Sequence, residues 1–126
     1  MASRIAKFGK RGAVAAALAS GLLAAAQTPA HASWYAAHPW GDVHLRDCYH
    51  PNKQPYPNTN CTDLGWVYTN TNVRIVCQYA GQNVGGDAVW DYIVVQDGSN
   101  REGYVADYYV TTGYSSWIPG VDRCNY

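Results

Sequence analysis

Four cysteines, at positions 48, 61, 77 and 124, constrain this chain more than any other feature. What they can do depends on the compartment, and the N-terminus speaks to that. Residues 1–12 carry Arg4, Lys7, Lys10 and Arg11 and no acid. Residues 13–26 (AVAAALASGLLAAA) form an apolar run, and Ala30-His31-Ala32 places small residues at −3 and −1 of a cleavage point. A basic start, a short apolar stretch and an A-x-A site read as a secretory signal peptide over residues 1–32. The run is too short for a membrane anchor, which needs about 20 apolar residues. Without paired arginines, general export is expected rather than the twin-arginine route. All four cysteines lie beyond the leader. An even number in an oxidising compartment is read as two disulfides.

Removal of the leader leaves Ser33–Tyr126, one small domain. A domain of that size buries only about 60–65% of its unfolded surface and commonly needs staples. Four cysteines allow three pairings. The reading adopted is Cys48–Cys61, closing a local loop, with Cys77–Cys124 tying the tail to the body. Chain entropy assigns about 3 kcal/mol to the short loop and about 4 to the long one. Together they are comparable to the whole net stability of a small domain.

Nine acids face five bases after residue 32, a net charge of −4. Nucleic acid and anionic membrane are poor partners for such a chain, because affinity for either comes from clustered Lys and Arg. Residue 33 is Ser rather than Cys, which argues against a bacterial lipid anchor, and no hydrophobic tail suggests a GPI signal. The expected product is a free, soluble, extracellular monomer. All 11 Tyr and 5 Trp lie in this region, and Phe is absent from it. Tyr and Trp carry polar tips that need water or a partner, so some of these rings should sit at the surface.

Residues 33–42 read as an irregular lead-in, with Trp34 and Trp40 free to dock. Val43–Arg46 alternates. Residues 47–63 hold three Pro and no apolar period, and read as a long loop. Leu64–Tyr68, Val73–Gln78, Trp90–Val95 and Gly103–Ala106 are strand candidates. Turn chemistry lies at Thr69–Asn72, in the Gly-rich loop containing Gly81, Gly85 and Gly86, and at Asp97–Asn100. Asp107-Tyr108-Tyr109 suggests one helical turn before Val110–Thr112. In Trp90–Val95 both faces carry apolar residues: Trp90, Tyr92 and Val94 on one, Asp91, Ile93 and Val95 on the other. The strand should therefore be central, with Trp90 in the core. Five or six short strands make a small all-β domain, here 43–112, followed by a tail over 113–126.

The order of these elements resembles a bacterial SH3-like (SH3b) domain, specifically the small secreted SH3-like proteins common in actinobacteria. The residues that carry the resemblance are Val43-His44-Leu45-Arg46, Ile75-Val76-Cys77-Gln78, Gly81, Val84-Gly85-Gly86 and Trp90-Asp91-Tyr92-Ile93. The closing run Gly103-Tyr104-Val105-Ala106-Asp107-Tyr108-Tyr109-Val110 follows a G-Y-V-x-D-x-Y-V pattern, and Thr112-Gly113 and Arg123-Cys124 complete it. The resemblance implies a small SH3-like barrel, and it maps the family's cysteine pair onto Cys77 and Cys124. It also implies an aromatic wall at Tyr108 and Tyr109, beside a ligand groove. Cys48 and Cys61 in the first long loop depart from the family, as does the longer Gly98–Glu102 stretch.

Catalytic chemistry is not expected. The even cysteine count argues against a thiol nucleophile. Glycan cleavage usually needs two carboxylates, one with a raised pKa, whereas Glu102 is the sole Glu beyond the leader and the Asp residues appear scattered. His44, Cys48, His50 and Cys61 match no common zinc spacing, so no metal and no cofactor are expected. Binding remains. Candidate ligand residues are Tyr49, Tyr56, Tyr108, Tyr109 and Trp117, with Asp107 and Asp47 able to orient a cationic amine, although capping of the short turn is the favoured role for Asp107. The expected partner is cell-wall peptide or glycan. The alternative is an inhibitor or interaction protein that grips an extracellular protein through the disulfide-closed loop 48–61.

Overall fold

The computed structural model describes residues 34–126, so the leader and Ser33 lie outside the described residues. Eight strands occur: β1 Tyr35–Pro39, β2 Val43–Asp47, β3 Thr62–Val67, β4 Val73–Val84, β5 Asp87–Val95, β6 Glu102–Ala106, β7 Val110–Thr111 and β8 Asp122–Arg123. A single 3₁₀ turn, η1, spans Asp107–Tyr109. No α-helix occurs among the described residues. The all-β expectation holds, as do both disulfides, Cys48–Cys61 and Cys77–Cys124.

The strands hydrogen-bond in the order β3-β2-β6-β5-β4-β1-β7, with β8 running parallel beside β4. The two ends of this order, β3 and β7, do not pair, so the sheet is open rather than a closed barrel. The strand count exceeds the expected five or six because both ends of the domain join the sheet. The lead-in is not irregular: Tyr35–Ala37 pairs with Val73–Ile75, and His38 and Pro39 with Thr111 and Val110. Ala37 and Pro39 turn inward from it. In the tail, Ile118 and Val121 are buried.

Period-2 alternation explains the core. β5 is central, as its doubly apolar pattern requires, and divides two packed clusters. One is aliphatic: Val43, Leu45, Val73, Ile75, Ile93, Val95 and Val105 at its heart. The other holds Trp90, Tyr104 and Ala106 with Cys48, Cys61 and Cys124, fringed by Tyr49, Tyr79, Tyr92 and Tyr126. A register shift between Ile75 and Cys77 lets β4 serve both, giving Ile75 to the first and Cys77 to the second.

Candidate functional site

Tyr108 and Tyr109 lie on η1, directly after β6. Trp40, between β1 and β2, docks on them. Its backbone N–H donates to the Tyr109 carbonyl (2.9 Å) and its indole Nε1–H to the Tyr108 carbonyl (2.8 Å). The three rings pack together, with centroids 5.1–5.4 Å apart. Gly85, at φ 60°, lies flat beneath the Tyr108 ring, where any Cβ would collide with it. Trp40 stays 51% exposed and Tyr108 39%. The result is an immobilised aromatic ridge at the surface.

A hollow lies on each side of the ridge. The first is a cleft of about 240 Å³, walled by Tyr109 and Trp66, floored by Val84, Trp90 and Ala106, and edged by Asp42, His44, Arg46 and Thr59. It is smaller than the 300 Å³ or so of a drug-sized site, and suits one sugar ring or one large side chain. His44 and Arg46 face it because Val43 and Leu45 turn the other way into the aliphatic core. The His44 ring stacks on Trp66 with centroids 3.8 Å apart. Its Nδ1 lies 2.8 Å from Asp63 Oδ2, at an ion-pair distance but off the hydrogen-bonding direction. Asp42 is held below its ordinary pKa by the backbone N–H and hydroxyl of Thr69, and Asp63 mainly by the Gly65 N–H. Both therefore remain anionic, Asp42 at the rim and Asp63 beside His44.

The second hollow is shallower, bounded by Trp40, Tyr108 and Tyr114, with Gly85, Gly86, Asp87 and Asp107 at its base. Asp107 does not cap η1: the N-cap is Ala106, and no side chain caps the turn. Asp107 is buried instead, within hydrogen-bonding reach of Asp91 and Asp87. Asp91, completely buried on β5, accepts a hydrogen bond from Gln78 Nε2 (2.8 Å), and Asp87 accepts one from the Val89 N–H (2.9 Å). The Asp residues are thus not all scattered. Burial pushes Asp91 up, to about 6. Burial, then the hydrogen bonds and charges of Asp87 and Asp91, push Asp107 further still. Glycosidases flank the scissile bond with one raised carboxylic acid and one ionised carboxylate; Asp91 is 0% exposed and Asp107 3%, too enclosed to flank a glycosidic bond in this form.

The other candidates are dispersed. Tyr49 packs inward, not outward: its hydroxyl bonds that of Tyr104 (2.7 Å), and its ring lies against Tyr126. Trp117 is half-buried beneath the Arg123 guanidinium, 3.5 Å from the ring centroid. Tyr56 is 47% exposed on the loop closed by Cys48–Cys61. Asp47 organises that loop by accepting the N–H groups of Tyr49 and His50. Only Asp107, Tyr108 and Tyr109 of the candidate set come together. Trp40, His44 and Trp66 join the site without having been candidates. Alternation placed His44 on the polar side of β2, but nothing local marks Trp40 as a partner of a turn 68 residues away. Compared with known proteins, the chain matches no family model and no curated relative.

Proposed function

We propose that this chain is an exported, non-enzymatic, SH3-like binding module that captures cell-wall peptide or glycan on the Trp40–Tyr108–Tyr109 ridge and in the hollows beside it. The observation that carries this reading is the ridge itself: exposed aromatic rings, fixed by two hydrogen bonds from Trp40 to backbone carbonyls and flanked by concavities. Rings held in place lose little entropy on binding, and their faces stack on sugars or on extended peptide. The burial of the only raised carboxyl pair described supports a role without catalysis.

The test is to incubate the purified, oxidised protein with washed cell-wall sacculi at low and moderate salt and to measure the pelleted fraction. Saturable pelleting that survives salt is expected. Tyr108→Ala should weaken it about tenfold while unfolding stability stays near wild type, as for a contact at a binding hot spot. A folded Tyr108→Ala protein that pellets like wild type removes the ridge from the site.

One observation favours the alternative, capture of a secreted protein by loop 48–61. The loop is rigid: Gln54 N–H donates to the Cys48 carbonyl, Asn58 Nδ2 to the Tyr56 carbonyl, and Arg46 Nη1 to the Cys61 carbonyl. Gly81 lies so close to the Pro57 carbonyl that no Cβ fits, which seats the loop on β4. Under this alternative sacculi do not pellet the protein, and Tyr56→Ala rather than Tyr108→Ala abolishes partner binding.

A further inference from the structure

Three carboxyl groups meet beneath the ridge, and among the described residues no ion pair reaches them. From β5 come Asp87 and Asp91, and from η1 comes Asp107; every ionisable group acting on Asp91 or Asp107 is another of these three acids. β4 contributes the neutral amide of Gln78, which also accepts the Ile118 N–H from the tail (2.9 Å). The phenols of Tyr108 and Tyr114 border the hollow above. Two buried oxygens, Asp91 Oδ2 and Asp107 Oδ1, have no donor from any other group. Two ionised carboxylates so placed would repel in a medium that screens poorly. A single proton between them turns the repulsion into a short, charge-assisted hydrogen bond.

We propose that Asp107 is a positioning residue. As a neutral carboxylic acid it donates its proton to Asp91, and this clamps η1 to the central strand and holds the aromatic ridge in place, most firmly at acidic pH and progressively less as pH rises. The geometry leaves little freedom for another role, because the residue after Asp107 is Tyr108, whose carbonyl anchors the Trp40 indole. The sign follows from proton linkage. The closed turn keeps a proton that an open turn, with an ordinary Asp107, gives up to solvent. Opening is therefore favoured by each increase in pH above the ordinary carboxylate value, throughout the range in which the closed form stays protonated. The consequence for ligand capture rests on the reading of the ridge as the ligand surface; the clamp itself does not.

The Trp40 indole N–H is a direct reporter of the clamp. Its exchange with solvent, corrected for the intrinsic rate, should lose protection about tenfold per pH unit between pH 7 and 9, above the range in which Asp91 itself takes up a proton and at the slope for release of one proton on opening. The ¹³C resonance of the Asp107 carboxyl should have the shift of a protonated acid at pH 7. Asp107→Asn, which is neutral and can still donate from its amide, should keep the indole protected with little pH slope, whereas Asp107→Ala should leave it unprotected at every pH. An ionised Asp107 at pH 7, or a wild-type protection factor that does not change with pH, overturns the clamp. Both of those measurements need only the wild-type protein, so they decide the matter even if a variant fails to fold. Sacculus pelleting over the same pH range separates the two readings. Pelleting that weakens in step with indole protection joins clamp to capture. A pH-dependent indole without pelleting at any pH sustains the clamp and discards the wall-binding function.

Discussion

The two clusters on either side of β5 are built from different chemistry. The aliphatic one is filled by Val, Ile and Leu, whose packing is non-directional and follows from alternation within each strand. The aromatic one is filled by Tyr, Trp and cystine, whose polar tips must find partners. Tyr49 and Tyr104 share a hydroxyl–hydroxyl bond, Trp90 Nε1–H donates to the Gln82 carbonyl, and Tyr126 OH donates to the Gln54 carbonyl. Tyr126 also stacks on Tyr79 with centroids 4.6 Å apart. Burial pushes the Tyr104 and Tyr126 phenols up, keeping them neutral donors well beyond the ordinary tyrosine range. The aliphatic cluster holds the sheet together and takes Ile118 and Val121 from the tail, whereas the aromatic one holds the loop and the last residues, Cys124 and Tyr126, against the sheet. The candidate cleft opens on the second, where Trp90 and Ala106 form its floor. Aliphatic packing suffices for a scaffold, but a surface that must stay shaped while facing water needs partnered polar rings.

Breaking the contrast should have graded effects. The largest is expected from the paired substitution Cys77→Ser with Cys124→Ser, which removes a bridge closing 47 residues. It should cost about 4 kcal/mol by the chain-entropy model, against about 3 for the pair Cys48→Ser and Cys61→Ser, whose bridge spans 13 residues. Urea unfolding under oxidising conditions measures both, and equal losses would contradict the model. Next, Ile93→Ala in the aliphatic cluster should cost about 3 kcal/mol. It should leave the near-ultraviolet dichroism of the aromatic cluster almost unchanged, and a collapsed spectrum in the folded variant would show that the clusters are one unit. The smallest loss sharpens the comparison from the other side. Tyr104→Phe keeps the ring and removes one buried hydroxyl bond, for about 1 kcal/mol, but should alter the near-ultraviolet spectrum more than Ile93→Ala does.

Legibility in the sequence divides along the same line. Alternation marks Val43, Leu45, Ile75, Ile93 and Val95 directly, and with them the inner strands. It even places Asp91 on the face of Ile93 and Val95, although an acid there does not announce three carboxyls in contact. That becomes visible only when η1 brings Asp107 beneath the same strand. Of the three possible cysteine pairings, the structure has the one that closes a local loop and that the resemblance implies for Cys77 and Cys124. β1 is hidden because SWYAAHPW has no sustained period and the strand itself ends on Pro39, which is tolerated where no ladder donor is required. Tyr49 and Trp117, ligand candidates from the loop and the tail, are half-buried: Tyr49 finds its hydroxyl partner 55 residues away, and Trp117 is covered by Arg123. Tyr108 and Tyr109 enter the candidate set through the closing motif, whereas the Trp40 contact depends on the fold being complete.

The placement of β1 has a consequence for the order in which this chain can assemble. Tyr35–Pro39 is the first described strand to be synthesised, yet its partners are Val73–Ile75 and Val110–Thr111. The final strand, Asp122–Arg123, returns to Cys77 and Gln78. A polypeptide emerging from its N-terminus therefore carries an unpaired leading strand until most of its length has followed, and cannot close its last ladder until the tail arrives. Pairings this distant form late and slowly. Such a chain completes its sheet only once nearly all of it has been made.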